Sequence, residues 1–168
     1  MSTSNRHRIL PYKPKPSYSV GAPVIGAYYK SNIPQIIATS ENVRFNMKTL
    51  SRKIMLCHDD CSFTIEVPGN YKIDFILSIE PNVDLTGPPE AHIFGLTLNG
   101  NIINTGIFAS YQPNNIGSYQ LCGSITQAVN GNCNVIGLKN LSMVPITLTS
   151  SVNGIEIIGA TINIIKIE

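Results

Sequence analysis

Charge is what this chain has least of. Only 13% of its 168 residues are Asp, Glu, Lys or Arg, against 43% hydrophobic, and that is about half the charged share of an ordinary globular protein. Such a surface must be hydrated by Asn, Ser, Thr and Gln, or be covered in part by other subunits. A net charge of +2, with Arg6, Arg8, Lys13 and Lys15 gathered near the start, leaves no basic surface for nucleic acid. Long apolar runs are missing too. Asn, Gly and Lys interrupt every candidate before the ~20 residues that a bilayer span needs, so membrane insertion is not expected. Residues 1–20 hold no apolar h-region, so no secretory signal peptide is expected. Helical spacing of apolar residues is absent over any long stretch. Also absent are a Gly-rich phosphate loop, His-Glu-x-x-His and Gly-x-Ser-x-Gly. The chain therefore reads as a non-enzyme without a cofactor.

What is present has a period of two. Tyr71, Ile73, Phe75, Leu77 and Ile79 alternate with Lys72, Asp74 and other residues, the pattern of strands with one face in a core. Asn99-Gly100, Asn130-Gly131 and Asn153-Gly154 fall between apolar runs, where Asn-Gly supplies the positive φ angles of a two-residue hairpin turn. Strands are expected near 35–38, 42–46, 53–56, 62–67, 70–80, 92–98, 102–103, 118–129, 132–138, 146–150 and 155–167, after an opening segment at 24–29. Pro88-Pro89 keeps 81–90 a loop. About ten strands with short turns make an all-β, antiparallel jelly-roll sandwich. Four prolines and the basic residues mark 1–23 as a flexible arm, and 24–168 as the domain.

One run shows how local chemistry sets this up. In Phe63-Thr-Ile-Glu-Val-Pro-Gly-Asn-Tyr-Lys-Ile-Asp-Phe75, Pro68 presets φ for a turn and Gly69 takes the left-handed position. Tyr71, Ile73 and Phe75 then share a face opposite Lys72 and Asp74.

This run, with Ala27-Tyr28-Tyr29, Val43-Arg44-Phe45-Asn46, the Leu96–Ile103 hairpin and the closing Ala160–Ile167 strand, resembles the C1q/tumour-necrosis-factor-like jelly-roll family. It is most similar in flavour to the bacterial branch, typified by the C-terminal domain of the Bacillus exosporium collagen-like glycoprotein and by exosporium basal-layer proteins. The chain departs from that branch in lacking a Gly-X-Y repeat and in carrying four cysteines. The resemblance implies a homotrimer with a structural or adhesive task and no chemistry. That points to a structural, assembly protein of a spore-surface layer, made in the mother-cell cytoplasm and partnered by itself and by other coat or exosporium proteins, with glycans a further class. The alternative is a trimeric receptor- or glycan-binding head, from a phage or a secreted factor. Tyr71 and Phe75 are the resemblance's candidates for the trimer contact; filling the sandwich core is the other place open to them.

The remaining polar groups carry weaker signals. Cys57-His58-Asp59-Asp60-Cys61, with Cys122 and Cys133, supplies thiols for disulfides, within one chain or between chains, or for a zinc site. The Cys-x₃-Cys and Cys-x₁₀-Cys spacings are not those of a zinc knuckle, and four cysteines allow three pairings. A two-residue turn at Asn130-Gly131 would set Ala128, not Cys122, opposite Cys133. Cys57 and His58 could meet as nucleophile and base only in a loop. His92 reads as a partly exposed structural histidine. Asp59, Asp60, Asp74 and Asp84 lack a calcium-loop arrangement and read as solvated carboxylates.

Overall fold

The computed structural model describes residues 25–80, 91–111 and 117–168. The proline-rich arm, Asp84 and the Pro88-Pro89 loop lie outside the described residues.

Period-two patterning becomes two sheets packed face to face. The first contains β1 (Gly26–Ser31), β2 (Gln35–Ile37), β3 (Met47–Arg52), β6 (Gly69–Ile79), β9 (Tyr119–Val129), β11 (Ile146–Leu148) and β14 (Ala160–Lys166). Its order is β2-β11-β6-β14-β1-β3, with β9 laid along β6. The second contains β4 (Ile54–Leu56), β5 (Ser62–Ile65), β7 (Ala91–Leu98), β8 (Asn101–Tyr111) and β10 (Asn134–Asn140), in the order β4-β5-β10-β7-β8. A ribbon of β12 (Ser151–Val152) and β13 (Ile155–Glu156) stands apart. Among the described residues every strand pairing is antiparallel. The expected ten strands become fourteen among the described residues, several of them only two or three residues long. Between the sheets lies one core, in which Tyr29, Phe45 and Phe63 meet as tilted ring pairs and Phe75 meets Phe108 edge-on at 5.1 Å.

The three Asn-Gly turns part ways. Asn99 and Gly100 have φ of 52° and 81° and join Leu98 to Asn101 as the expected hairpin. Asn153-Gly154 also turns at 52° and 77°, but closes only the short ribbon, with Val152 opposite Ile155. Asn130-Gly131 is no hairpin at all. β9 pairs with β6 and β10 with β5 and β7, so residues 130–133 carry the chain from one sheet to the other. The expected opposition of Ala128 and Cys133 does not exist. Asn134 supports the crossing instead: its Nδ2 donates to the carbonyls of Asn130 and Gly131, and its Oδ1 accepts from Asn99 Nδ2.

Segment 42–46, read as a strand, makes only an isolated bridge between Asn42 and Lys139. Its alternation is nevertheless real, since Val43 and Phe45 are fully buried. Their amides bond to Leu138 and Asp60 carbonyls rather than to a neighbouring strand of regular register. β3 follows it, where the sequence signals no strand.

Gly69 and Tyr71 explain the Pro-Gly-x-Tyr run. β5 and β6 belong to different sheets, so the run is an arch across the sandwich. At Gly69, φ is 149°, and a Cβ there would lie 2.3 Å from the Glu168 carbonyl oxygen, so only glycine fits. The buried Tyr71 hydroxyl donates to the Val67 carbonyl at 2.6 Å, satisfying a backbone acceptor that the arch leaves without a ladder partner.

Candidate functional site

The feature that stands out is an edge. Among the described residues β8 closes one side of the second sheet, pairing only with β7, and β9 closes the same side of the first, pairing only with β6. Each is eleven residues long, and neither carries a charged residue. Ile102, Ile107 and Tyr111 on β8 are exposed, as is Cys122 on β9. Long unpaired edges invite further pairing, and soluble proteins commonly guard them with charge, above all with lysine. β3, the opposite edge of the first sheet, is guarded in that way by Lys48 and Arg52, with Lys53 just beyond. The β8/β9 side has no such guard.

Beside it lies the outer face of the first sheet. Cross-strand register places Cys122, Ile76, Thr161 and Lys30 in one row and Ser124, Asp74, Asn163 and Tyr28 in the next. The few charges on this face are engaged: Asp74 accepts from Ser124 Oγ at 2.5 Å and faces Lys72 at 3.7 Å, and the Lys30 ammonium sits 5.2 Å from the Tyr28 ring centre.

Tyr71 and Phe75 are not on this surface. They are 0% and 1% exposed and point between the sheets. Of the two places open to them, the structure gives the core, and a ring without accessible surface in its own chain has none to offer a second subunit. The candidate contact residues are instead those on β8 and β9. Sequence periodicity hid them, because Asn101–Tyr111 does not alternate cleanly.

The cysteines are dispersed and all four thiols are free. Cys57 and Cys61 bracket the β4–β5 turn, where the Cys57 thiol meets Thr64 Oγ1 at 3.2 Å rather than His58. Cys122 lies midway along β9, and Cys133 sits at the sheet crossing with φ of 59°. Among the described residues, no three His, Cys, Asp or Glu side chains gather as a metal-ligand set. Burial, and then the hydrogen bond to Asp59, push the Cys61 thiol up to about 11. Burial alone would raise Asp59, but bonds from Cys61 and Ser62 outweigh it and hold its carboxyl below the ordinary value. His92 differs from expectation. It is buried, stacks on Tyr119 with ring centres 5.8 Å apart, and shares a hydrogen bond between Nδ1 and the Tyr119 hydroxyl. Burial pushes Tyr119 up to about 12.

No family model and no curated protein sequence matches this chain. Solved structures do. The globular domain of zebrafish complement 1qA superposes with a TM-score of 0.62 at 15% identity, covering 86% of this chain and 98% of that one. Eiger TNF from S. frugiperda gives 0.66 at 8% identity, covering 88% and 94%. Murine APRIL gives 0.56 at 8% identity, covering 86% and 99%. The chain has the C1q/tumour-necrosis-factor jelly-roll fold. The likeness covers nearly the whole length of each of those domains.

Proposed function

We propose that this chain is a non-enzymatic assembly head that works as a homotrimer, each jelly roll setting its β8/β9 side against the outer face of the next subunit's first sheet. The observation that carries this reading is the pair of eleven-residue edge strands without a charged residue. An edge that meets a different surface on its neighbour makes a head-to-tail contact, which forms a ring where the rotation between subunits closes. The number three comes from the resemblance of the sequence motifs to the family. The exposed Ile102, Ile107 and Tyr111 supply the apolar and aromatic anchors that such a contact needs.

Light scattering tests it. The expected mass is three times the 18.3 kDa chain, unchanged by reductant, and Ile107→Lys should give a folded monomer. A wild-type monomer, or an Ile107→Lys trimer, would refute this arrangement.

The finer placement is a bacterial spore surface, an exosporium-like layer as in Bacillus, with coat proteins as partners. It is supported by the motif resemblance and by the low charge. In this reading residues 1–23 tether the head, and removing residues 1–20 should leave the trimer intact but abolish its incorporation into the layer. Finding the protein absent from purified spore surfaces would end that placement.

A further inference from the structure

Each of the three Asn-Gly pairs holds the atoms of a reaction that modifies the chain itself. The glycine's backbone nitrogen can attack the asparagine's Cγ, since no Cβ on the glycine blocks the approach. The N–Cγ bond forms, the Cγ–Nδ2 bond breaks, and Nδ2 leaves as ammonia, taking the glycine's amide proton. Water then opens the resulting succinimide. Cleavage of the new N–Cγ bond gives aspartate. Cleavage of the original peptide bond gives isoaspartate, whose backbone runs through Cβ and Cγ.

Exposure does not rank the three pairs. Asn99, Asn130 and Asn153 are all exposed, and a Cβ built on Gly100, Gly131 or Gly154 would meet nothing within 4 Å. Restraint ranks them. Ring closure needs the glycine nitrogen and Cγ on the same side of the asparagine's Cα–C bond. A hairpin turn with positive φ at both positions, as at 99–100 and 153–154, holds them apart, so the turn must open first.

Asn99 joins strands of eight and eleven residues and is tied to a third. Its amide donates to the Val135 carbonyl at 2.7 Å, its Oδ1 accepts from the Val135 amide at 2.8 Å, and its Nδ2 donates to Asn134 Oδ1 at 2.8 Å. The last of these bonds engages the leaving group. Asn130 is held more loosely, through its own carbonyl and that of Gly131, which both accept from Asn134 Nδ2. Asn153 closes a ribbon of only two residue pairs, and among the described residues no hydrogen bond holds its side chain. A two-stranded ribbon by itself is marginal in water, and such segments open at little cost in free energy.

We propose that Asn153 is a site of spontaneous deamidation, while the fold suppresses the same reaction at Asn99. Conversion removes one unit from a net charge of +2 and sets a new carboxylate in the ribbon that carries Glu156. Isoaspartate adds a backbone carbon to the two-residue turn, which then cannot keep Val152 opposite Ile155. Val152 lines, with Tyr119 and Gln120, a cavity of about 380 Å³, so the change reaches the start of β9. The reaction is contained within one chain and stands independently of the trimer.

The test is incubation of the full-length protein at pH 8, native and in guanidinium chloride, with peptides mapped over time by mass spectrometry. In denaturant the three asparagines, each followed by glycine, should convert at closely similar rates. In the native protein Asn153 should convert first, and Asn99 at least about tenfold more slowly, because its turn must break more than one hydrogen bond to open. Asn134→Ala, which frees Asn99 Nδ2, should speed Asn99 several-fold without changing Asn153. Should that variant unfold, all three would convert at the denatured rates, and the wild-type order alone decides. Asn153 staying intact, Asn99 or Asn130 converting first, or a folded Asn134→Ala protein in which Asn99 is as slow as before would each overturn the proposal.

Discussion

Replacing Gly123 by alanine tests the packing logic of the β8/β9 side most directly. Gly123 lies on β9 opposite Phe75, and a Cβ built there would fall 2.5 and 2.7 Å from Phe75 ring carbons and 2.8 Å from one of Phe108. Carbon atoms pack at about 3.5–4.0 Å, so the rings must retreat by roughly 1 Å. Phe75 has little room to move, being 1% exposed and held edge-on to Phe108 at 80°. Overpacking of this kind costs about 1–3 kcal/mol, and spoiling the ring pair adds up to about 1 kcal/mol. Gly123 is not among the residues with positive φ, so alanine also gains about 0.4–1 kcal/mol by restricting the unfolded chain. Overpacking wins, for a net loss of about 1–3 kcal/mol. At 2–4 °C per kcal/mol for a chain of this size, Tm should fall by about 2–12 °C. Thermal unfolding followed by circular dichroism at fixed protein concentration reads this out, and shortening the second ring with Phe108→Leu should recover part of the loss in the Gly123→Ala background. An unchanged or raised Tm would show that the gap over Gly123 is not filled by these rings.

Other perturbations follow from the same structure. Tyr71→Phe removes the donor to the part-buried Val67 carbonyl and should cost about 0.5–1.5 kcal/mol, read as a lower denaturant midpoint with an unchanged m-value. Tyr119 has its folded-state pKa raised from 10 to about 12, so the folded protein holds the proton more tightly than the unfolded chain. Its contribution is complete below pH 10 and is lost as pH rises through 12; Tyr119→Phe should flatten the fall in stability across that window. At pH 8 iodoacetamide should modify the exposed Cys133 first, and Cys61, whose thiol burial pushes up to about 11, well after it, while Cys122 is shielded in the proposed trimer; peptide mass mapping over time gives the order.

Much of the fold was legible because burial writes itself into period two. Tyr71 to Ile79 and the Ile-rich closing strand are core strands in the sequence and in the structure. Val43 and Phe45 are core residues too, although the backbone between them never becomes a strand, so the pattern reported burial rather than hydrogen bonding. Of β8 the sequence marks only 102–103 as strand, because the register against β7 jumps between Gly95 and Thr97, which breaks the alternation. His92 escaped because its partner, Tyr119, lies 27 residues away in the other sheet. Tyr71 and Phe75 lie on the most aromatic strand, and an alternating aromatic strand is what a sandwich needs for its own core.

The misread turn and the candidate interface are one fact seen twice. Had Asn130-Gly131 closed a hairpin, β10 would cover the free side of β9, and the molecule would have no long edge there. The chain instead leaves the first sheet after Val129 and enters the second at Asn134. An Asn-Gly pair cannot announce this, since positive φ suits a tight reversal and a sheet crossing alike; Gly131 has φ of 75° here, close to the 81° of the true hairpin at Gly100. The backbone separates them in part, since Asn99 has φ of 52° and Asn130 is not among the residues with positive φ, and so does the side chain that captures the crossing. Asn134 holds two carbonyls of the crossing, and its own oxygen is held by Asn99 on the neighbouring hairpin. Asn134→Ala should therefore loosen the crossing, leaving the buried ladder of β6 and β9 in place. Amide exchange should quicken at residues 99 and 130–135 while residues 71–77 stay protected. Uniform loss of protection across β6 would show that the crossing is part of the global core, and that the β8/β9 edge is not set by this local network.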